Sequence, residues 1–121
     1  MSAKKILIVE DDLILLLLNK KFIQLLGHVV VKAVKSGEEA IEFALNEDNE
    51  IDLILIDVRL RGKIDGIIAM VEINKSRKIP AIYVTGNSNK EIKERAEMTN
   101  MLAFCIKPVS LNELELIIDK P

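Results

Sequence analysis

Leu53-Ile54-Leu55-Ile56-Asp57 is four apolar residues in a row closed by a carboxylate. A short continuous apolar run is the pattern of a strand buried on both faces, which is what parallel sheets contain. Asp57 falls where the run stops, at the strand's carboxyl end. In open α/β sheets ligands bind outside that edge. Three other stretches end alike. Ile6-Leu7-Ile8-Val9 runs into Glu10-Asp11-Asp12, Ala81-Ile82-Tyr83-Val84 into Thr85-Gly86, and Ala103-Phe104-Cys105-Ile106 into Lys107-Pro108. If these strands are parallel, carboxylates, a hydroxyl and an ammonium converge on one edge.

Working outward, five apolar strand candidates alternate with helical patterns, the signature of a βα-repeated sheet. The first strand is predicted over 5–9, and Asp12 suits the N-cap of a helix over 13–26 that Gly27 stops. A second strand covers 29–34. Ser36 with Glu39, Ser88 with Glu91 and Ser110 with Glu113 each make a capping box, at the starts of the second, fourth and fifth helices. Ala40, Ile41, Ala44 and Leu45 share one face of the second helix. A third helix covers 67–75. The fourth, over 88–99, has only Ile92, Ala96 and Met98 as apolar residues, so it buries little area and is loosely held. Between Asp57 and the third helix lies Val58-Arg59-Leu60-Arg61-Gly62-Lys63-Ile64-Asp65-Gly66, with no periodicity: a functional loop.

The 121 residues fit one domain able to bury one core. A formal net charge of −2 does not favour nucleic-acid binding, which wants a basic face. One cysteine excludes an internal disulfide and fits a reducing compartment. Lys4-Lys5 precede too short an apolar run for a signal peptide, and Leu13 to Leu18 is far short of a membrane span, so the chain reads as cytoplasmic. His28 and Cys105 read as structural.

Crowded carboxylates at Glu10, Asp11 and Asp57 would repel one another unless a hard cation with oxygen ligands, Mg²⁺ or Mn²⁺, sits among them. Mg²⁺ leaves positions for phosphate oxygens, Lys107 adds a positive charge and Thr85 a hydroxyl donor. A phosphoryl group arriving at Asp57 would be stabilised on all sides, and attack by the aspartate would give an acyl-phosphate.

Glu10-Asp11-Asp12, Asp57, Thr85-Gly86 and Lys107-Pro108, in this order and spacing, resemble the receiver domain of two-component response regulators over nearly the whole chain, 1–121. The resemblance implies a flavodoxin-like, doubly wound five-stranded parallel sheet of order 2-1-3-4-5 with five helices. It implies that Asp57 accepts phosphate from the phosphohistidine of a histidine kinase or phosphotransfer domain. Asp11 and Asp57 would bind Mg²⁺ directly, Glu10 through water and Arg59 through its backbone carbonyl. Thr85 and Phe104 would form a switch pair acting on the face of the fourth helix, fifth strand and fifth helix, and Lys107 would clamp the phosphoryl group. By the same resemblance, phosphorylation would pair two copies. The long loop after Asp57 resembles those of receivers attached to sensory histidine kinases.

Two other readings fit less well. Phosphatases of the haloacid dehalogenase type want an acid two residues beyond the nucleophile, where this chain has Arg59. A receiver-like interaction module that is never phosphorylated would not need the acidic cluster. The first helix carries a further expectation. At ~100° per residue Ile14, Leu15, Leu18, Phe22, Leu25 and Leu26 gather on a core-facing arc, and Leu16 and Ile23 fall outside it as a ridge for docking the kinase.

Overall fold

In the computed structural model, which describes residues 3–87 and 89–119, the apolar runs become five parallel strands with helices between them. They are β1 (Lys5–Val9), β2 (Val29–Val34), β3 (Leu53–Asp57), β4 (Ala81–Thr85) and β5 (Met101–Ile106). The helices are α1 (Leu13–Leu25), α2 (Gly37–Leu45), α3 (Gly66–Asn74), α4 (Lys90–Glu97) and α5 (Leu111–Ile118). The sheet order is β2-β1-β3-β4-β5, the order that the resemblance implies.

Alternation along the strands divides the core into two layers. Leu7, Val9, Ile54, Ile56, Ala81 and Tyr83 face α2, α3 and α4. Ile6, Ile8, Leu53, Leu55, Ile82 and Val84 face α1 and α5. Every residue of β3 and β4 is buried, which is why both read as unbroken apolar runs.

The caps fix where the helices begin. Asp12 accepts the Ile14 and Leu15 N–H groups, Asp65 that of Ile68 at 2.8 Å, and Ser110 and Glu113 form the full reciprocal box. Ser36 accepts the Glu39 N–H, but its hydroxyl is given to the Glu39 carboxylate, so that box is half made. Ser88 lies outside the described residues, and the cap of α4 is Asn89, which accepts the Ile92 N–H at 3.0 Å. Gly27, at φ +86°, ends α1 in a conformation that suits glycine. His28 is a structural clasp. Its Nδ1 accepts the Lys4 N–H at 3.0 Å, leaving Nε2 to donate to Asp119 at 2.8 Å.

The rotation of α1 differs from expectation. Leu16 (7% exposed), Asn19 and Ile23 (0%) form the buried stripe, whereas Leu13, Ile14 (78%), Leu17, Leu18 and Leu25 are open to solvent. Leu16 and Ile23 are therefore core residues and cannot supply a docking ridge. An uninterrupted run of leucines carries no phase of its own. The buried stripe includes a polar residue, Asn19, which borders the same small cavity as Glu10, Lys107 and Val84. In α2, Ala40 and Ala44 are buried as expected, but Leu45, in the final turn, is exposed.

Candidate functional site

Parallel register assembles the site. Val9 lies opposite Ile56, Asp57 opposite Val84, and Thr85 opposite Ile106. The next residue of each chain segment therefore emerges at one edge: Glu10 beside Asp57, and Lys107 beside Gly86, one residue past Thr85. The Lys107 N–H donates to the Thr85 carbonyl at 2.8 Å and holds the two loops together.

The carboxylate oxygens of Glu10, Asp11 and Asp57 come within 4.8 Å of one another. Glu10 and Asp57 are buried and Asp11 is half-buried. Lys107 Nζ donates to Asp57 Oδ2 at 2.6 Å and to Glu10 Oε1 at 3.0 Å, one ammonium shared by two buried acids. Asp57 Oδ1 accepts the Arg59 N–H at 3.1 Å, and Glu10 Oε2 accepts the Asp12 N–H at 3.1 Å. Arg61 Nε stands 4.0 Å from Asp11 Oδ2, a charge contact that nothing in the local sequence announces.

Electrostatically the cluster is short of positive charge. Burial, with repulsion from Asp57, pushes the Glu10 carboxyl up to about 7, against the pull of the Asp12 N–H and Lys107. Burial opposes the Lys107 charge too, but its bonds to Asp57 and Glu10 outweigh that and raise its affinity for the proton. The donors are hard oxygens at the carboxyl ends of two adjacent strands. This is a set that fits Mg²⁺ or Mn²⁺, with Asp11 the least enclosed of the three acids.

An open cleft of about 330 Å³ adjoins Asp57, lined by Arg59, Thr85, Gly86, Asn87 and Lys107. Thr85 is buried; its Oγ1 accepts the Asn87 N–H at 3.3 Å, leaving the hydroxyl proton for an oxygen in the cleft. Phe104, paired with Tyr83 across the strands, is half-buried against the α4 side of the sheet. It does not line the cleft.

Backbone positions hold the acids still. Gly66 starts α3 so close to β3 that a Cβ there would lie 2.1 Å from the Asp57 carbonyl oxygen. Its N–H donates to the Val58 carbonyl at 2.7 Å. Gly62, at φ +98°, turns the loop so that the Lys63 N–H reaches Glu38 Oε2 at 2.9 Å.

A family model described as the response regulator receiver domain matches residues 6–119. The transcriptional regulatory protein PdtaR of Mycobacterium tuberculosis is 31% identical over 111 residues, 92% of this chain and 53% of that protein. The chain spans about half the length of such curated relatives. Among solved structures, a CheY-like receiver domain protein from Methanospirillum hungatei superposes with a TM-score of 0.88 at 27% identity, covering 98% of this chain and 93% of that one. The receiver domain of the sensor histidine kinase PA1611 from Pseudomonas aeruginosa, solved with magnesium in its active-site cleft, gives 0.83 at 29% identity, covering 98% and 97%. Among the described residues, no helix is long and apolar enough to cross a membrane.

Proposed function

The chain belongs to the response regulator receiver domain family, and on that premise we propose that residues 1–121 form one receiver whose Asp57 accepts a phosphoryl group from a phosphohistidine. The donor is a histidine kinase or phosphotransfer domain. One observation carries the reading: a single ammonium, Lys107, bridges the buried Asp57 and Glu10 at the rim of a cleft, with Asp11 beside them.

Each residue has a task. An oxygen of Asp57 attacks phosphorus, the P–N bond breaks, and its electron pair stays on the imidazole nitrogen. The Arg59 N–H holds Asp57 Oδ1 and so fixes which way the carboxylate faces. Lys107, 2.6 Å from Asp57 Oδ2, meets the negative charge of the incoming group. Thr85 gives its free hydroxyl proton to a phosphoryl oxygen. Asp11 and Asp57 directly, Glu10 through water and the Arg59 carbonyl would hold Mg²⁺. The ion would supply the positive charge that three carboxylates and three phosphoryl oxygens otherwise lack. Attack of water on the acyl-phosphate, releasing inorganic phosphate and restoring the Asp57 carboxylate, returns the domain to its starting state, so the chain acts as a signalling module.

Movement of Thr85 toward the phosphoryl group draws Phe104 inward and shifts α4. The face that responds, α4–β5–α5, shows Met98, Leu102, Ile106 and Leu116 to solvent. The donor would approach on the other side. Leu13, Ile14 and Leu17 lie on the open face of α1, whose cap Asp12 donates its N–H to Glu10. A helix delivering phosphohistidine to Asp57 passes over that face.

Incubation with acetyl phosphate and Mg²⁺ should add one phosphoryl group, seen by intact mass. Asp57→Asn should abolish labelling and Asp11→Ala should weaken Mg²⁺ binding. Labelling that persists in Asp57→Asn would sink the assignment. Steady turnover of a generic phosphomonoester would instead mark a phosphatase. Leu17→Lys should slow transfer from the cognate kinase while leaving acetyl phosphate labelling unchanged.

A further inference from the structure

A second connection runs from Asp57 to α4, separate from Thr85 and Phe104. Asp65 closes the loop after β3 and uses both carboxylate oxygens. Oδ1 caps α3 by accepting the Ile68 N–H at 2.8 Å, and Oδ2 accepts from Arg95 Nη2 at 2.9 Å. Arg95 belongs to α4, so one side chain ties the end of the Asp57 loop to the fourth helix.

The rest of the loop has little slack. Its start is held by the Arg59 N–H on Asp57 Oδ1, its middle by the Arg61–Ser36 bridge and the Lys63 N–H on Glu38. Its end is held by Gly66, packed against the Asp57 carbonyl. Asp65 therefore sits at the end of a short segment pinned at both ends to the Asp57 site. On the far side, α4 has weak apolar anchorage: Ala96 is its one buried residue and Ile92 is half-buried. Among the described residues its other ties are polar, the Arg95–Asp65 pair and the Tyr83 hydroxyl with Thr99 Oγ1 at 2.7 Å just beyond its C-terminus.

We propose that the Arg95–Asp65 ion pair is a latch holding α4 in its unphosphorylated arrangement, so that it sets how readily the Asp57 site is switched. The proposal rests on the reading of Asp57 as phosphoacceptor and deepens it into the regulation of that site. Both side chains are partly exposed, and pairs of this kind change an equilibrium by a factor of roughly two to five. That is the size suited to biasing a switch without locking it.

The test uses Arg95→Gln, Asp65→Asn, their double variant and Arg95→Lys. Asparagine keeps an oxygen for the Ile68 N–H, so α3 stays capped. Amide exchange over Lys90–Glu97 without ligand, and the affinity for beryllofluoride with Mg²⁺, are read in parallel. Each single variant should speed α4 exchange roughly two- to five-fold and tighten beryllofluoride binding by a similar factor. The double variant should add nothing further, Arg95→Lys should recover part of the effect, and α3 exchange should not move. Unchanged α4 exchange, additive single effects, or weaker beryllofluoride binding would each overturn the latch. Failure of the wild-type chain to bind beryllofluoride would overturn the phosphoacceptor reading instead, and the exchange rates would still decide whether the latch exists.

Discussion

Helices α3 and α4 cover the same face of the sheet on either side of the Asp57 cleft, yet they are held in opposite ways. In α3, Gly66, Ile67, Ala69, Met70 and Ile73 are buried, five of nine residues, and its first residue is wedged against the Asp57 backbone. In α4 only Ala96 of eight residues is buried, and Met98 just beyond it is 87% exposed. Apolar burial at about 25 cal/mol per Å² makes α3 part of the rigid frame that keeps three acids together. The same term leaves α4 close to the margin, where an ion pair or a hydroxyl can decide its position. On the proposed reading, rigidity is placed where like charges must be confined, and compliance where the signal would leave.

The contrast breaks most severely at Gly66. Gly66→Ala puts a methyl group into the Asp57 carbonyl, and backbone cannot give way as a flexible side chain would. We expect a loss of about 3 kcal/mol or more in urea unfolding, with acetyl phosphate labelling lost from whatever remains folded. A stability within 1 kcal/mol of the wild type, on the order of a neutral substitution, would mean that the wedge is unimportant.

Next comes a paired truncation. Ile73→Ala in α3 should cost about 2–5 kcal/mol, because the side chain is fully buried. Ile92→Ala, half-buried in α4, should cost about 1 kcal/mol and act mainly on local exchange. Equal costs would erase the difference between the helices.

A smaller effect follows from pH. Glu10 titrates near 7 in the fold against 4.5 for a free side chain, so burial stabilises its protonated form. Its contribution is fully present below pH ~4.5 and is lost as pH rises through about 7, on the order of 3 kcal/mol at most. Thermal unfolding of metal-free protein should show this decline, and Glu10→Gln should flatten it. Mg²⁺ should raise the melting temperature more at pH 8 than at pH 5, since at pH 5 it competes with a proton. A larger gain at pH 5 would contradict the sign.

Much of this was legible in the sequence because it is local. Strand limits follow from apolar runs, and Asp12 and Ser110 act on residues two to three positions away. Glu10, Asp57, Thr85 and Lys107 announced themselves by sitting where such runs stop. The rotation of α1 was not legible, since Leu13 to Leu18 offers no polar break and its inward face is marked by a polar residue, Asn19. Nor were the ties that pin the Asp57 loop. Glu38 meets Lys63 across 25 positions and Asp65 meets Arg95 across 30, beyond any helix or turn spacing. Such pairs are set by topology, and no short-range pattern records them.

The most direct measurement is amide hydrogen exchange of the wild-type chain with Mg²⁺, before and after beryllofluoride. Phosphoacceptance at Asp57 coupled to a compliant α4 predicts that the Lys90–Glu97 amides change their exchange rates several-fold while the Gly66–Asn74 amides hold theirs. Equal responses in the two helices, or no response in either, would contradict it.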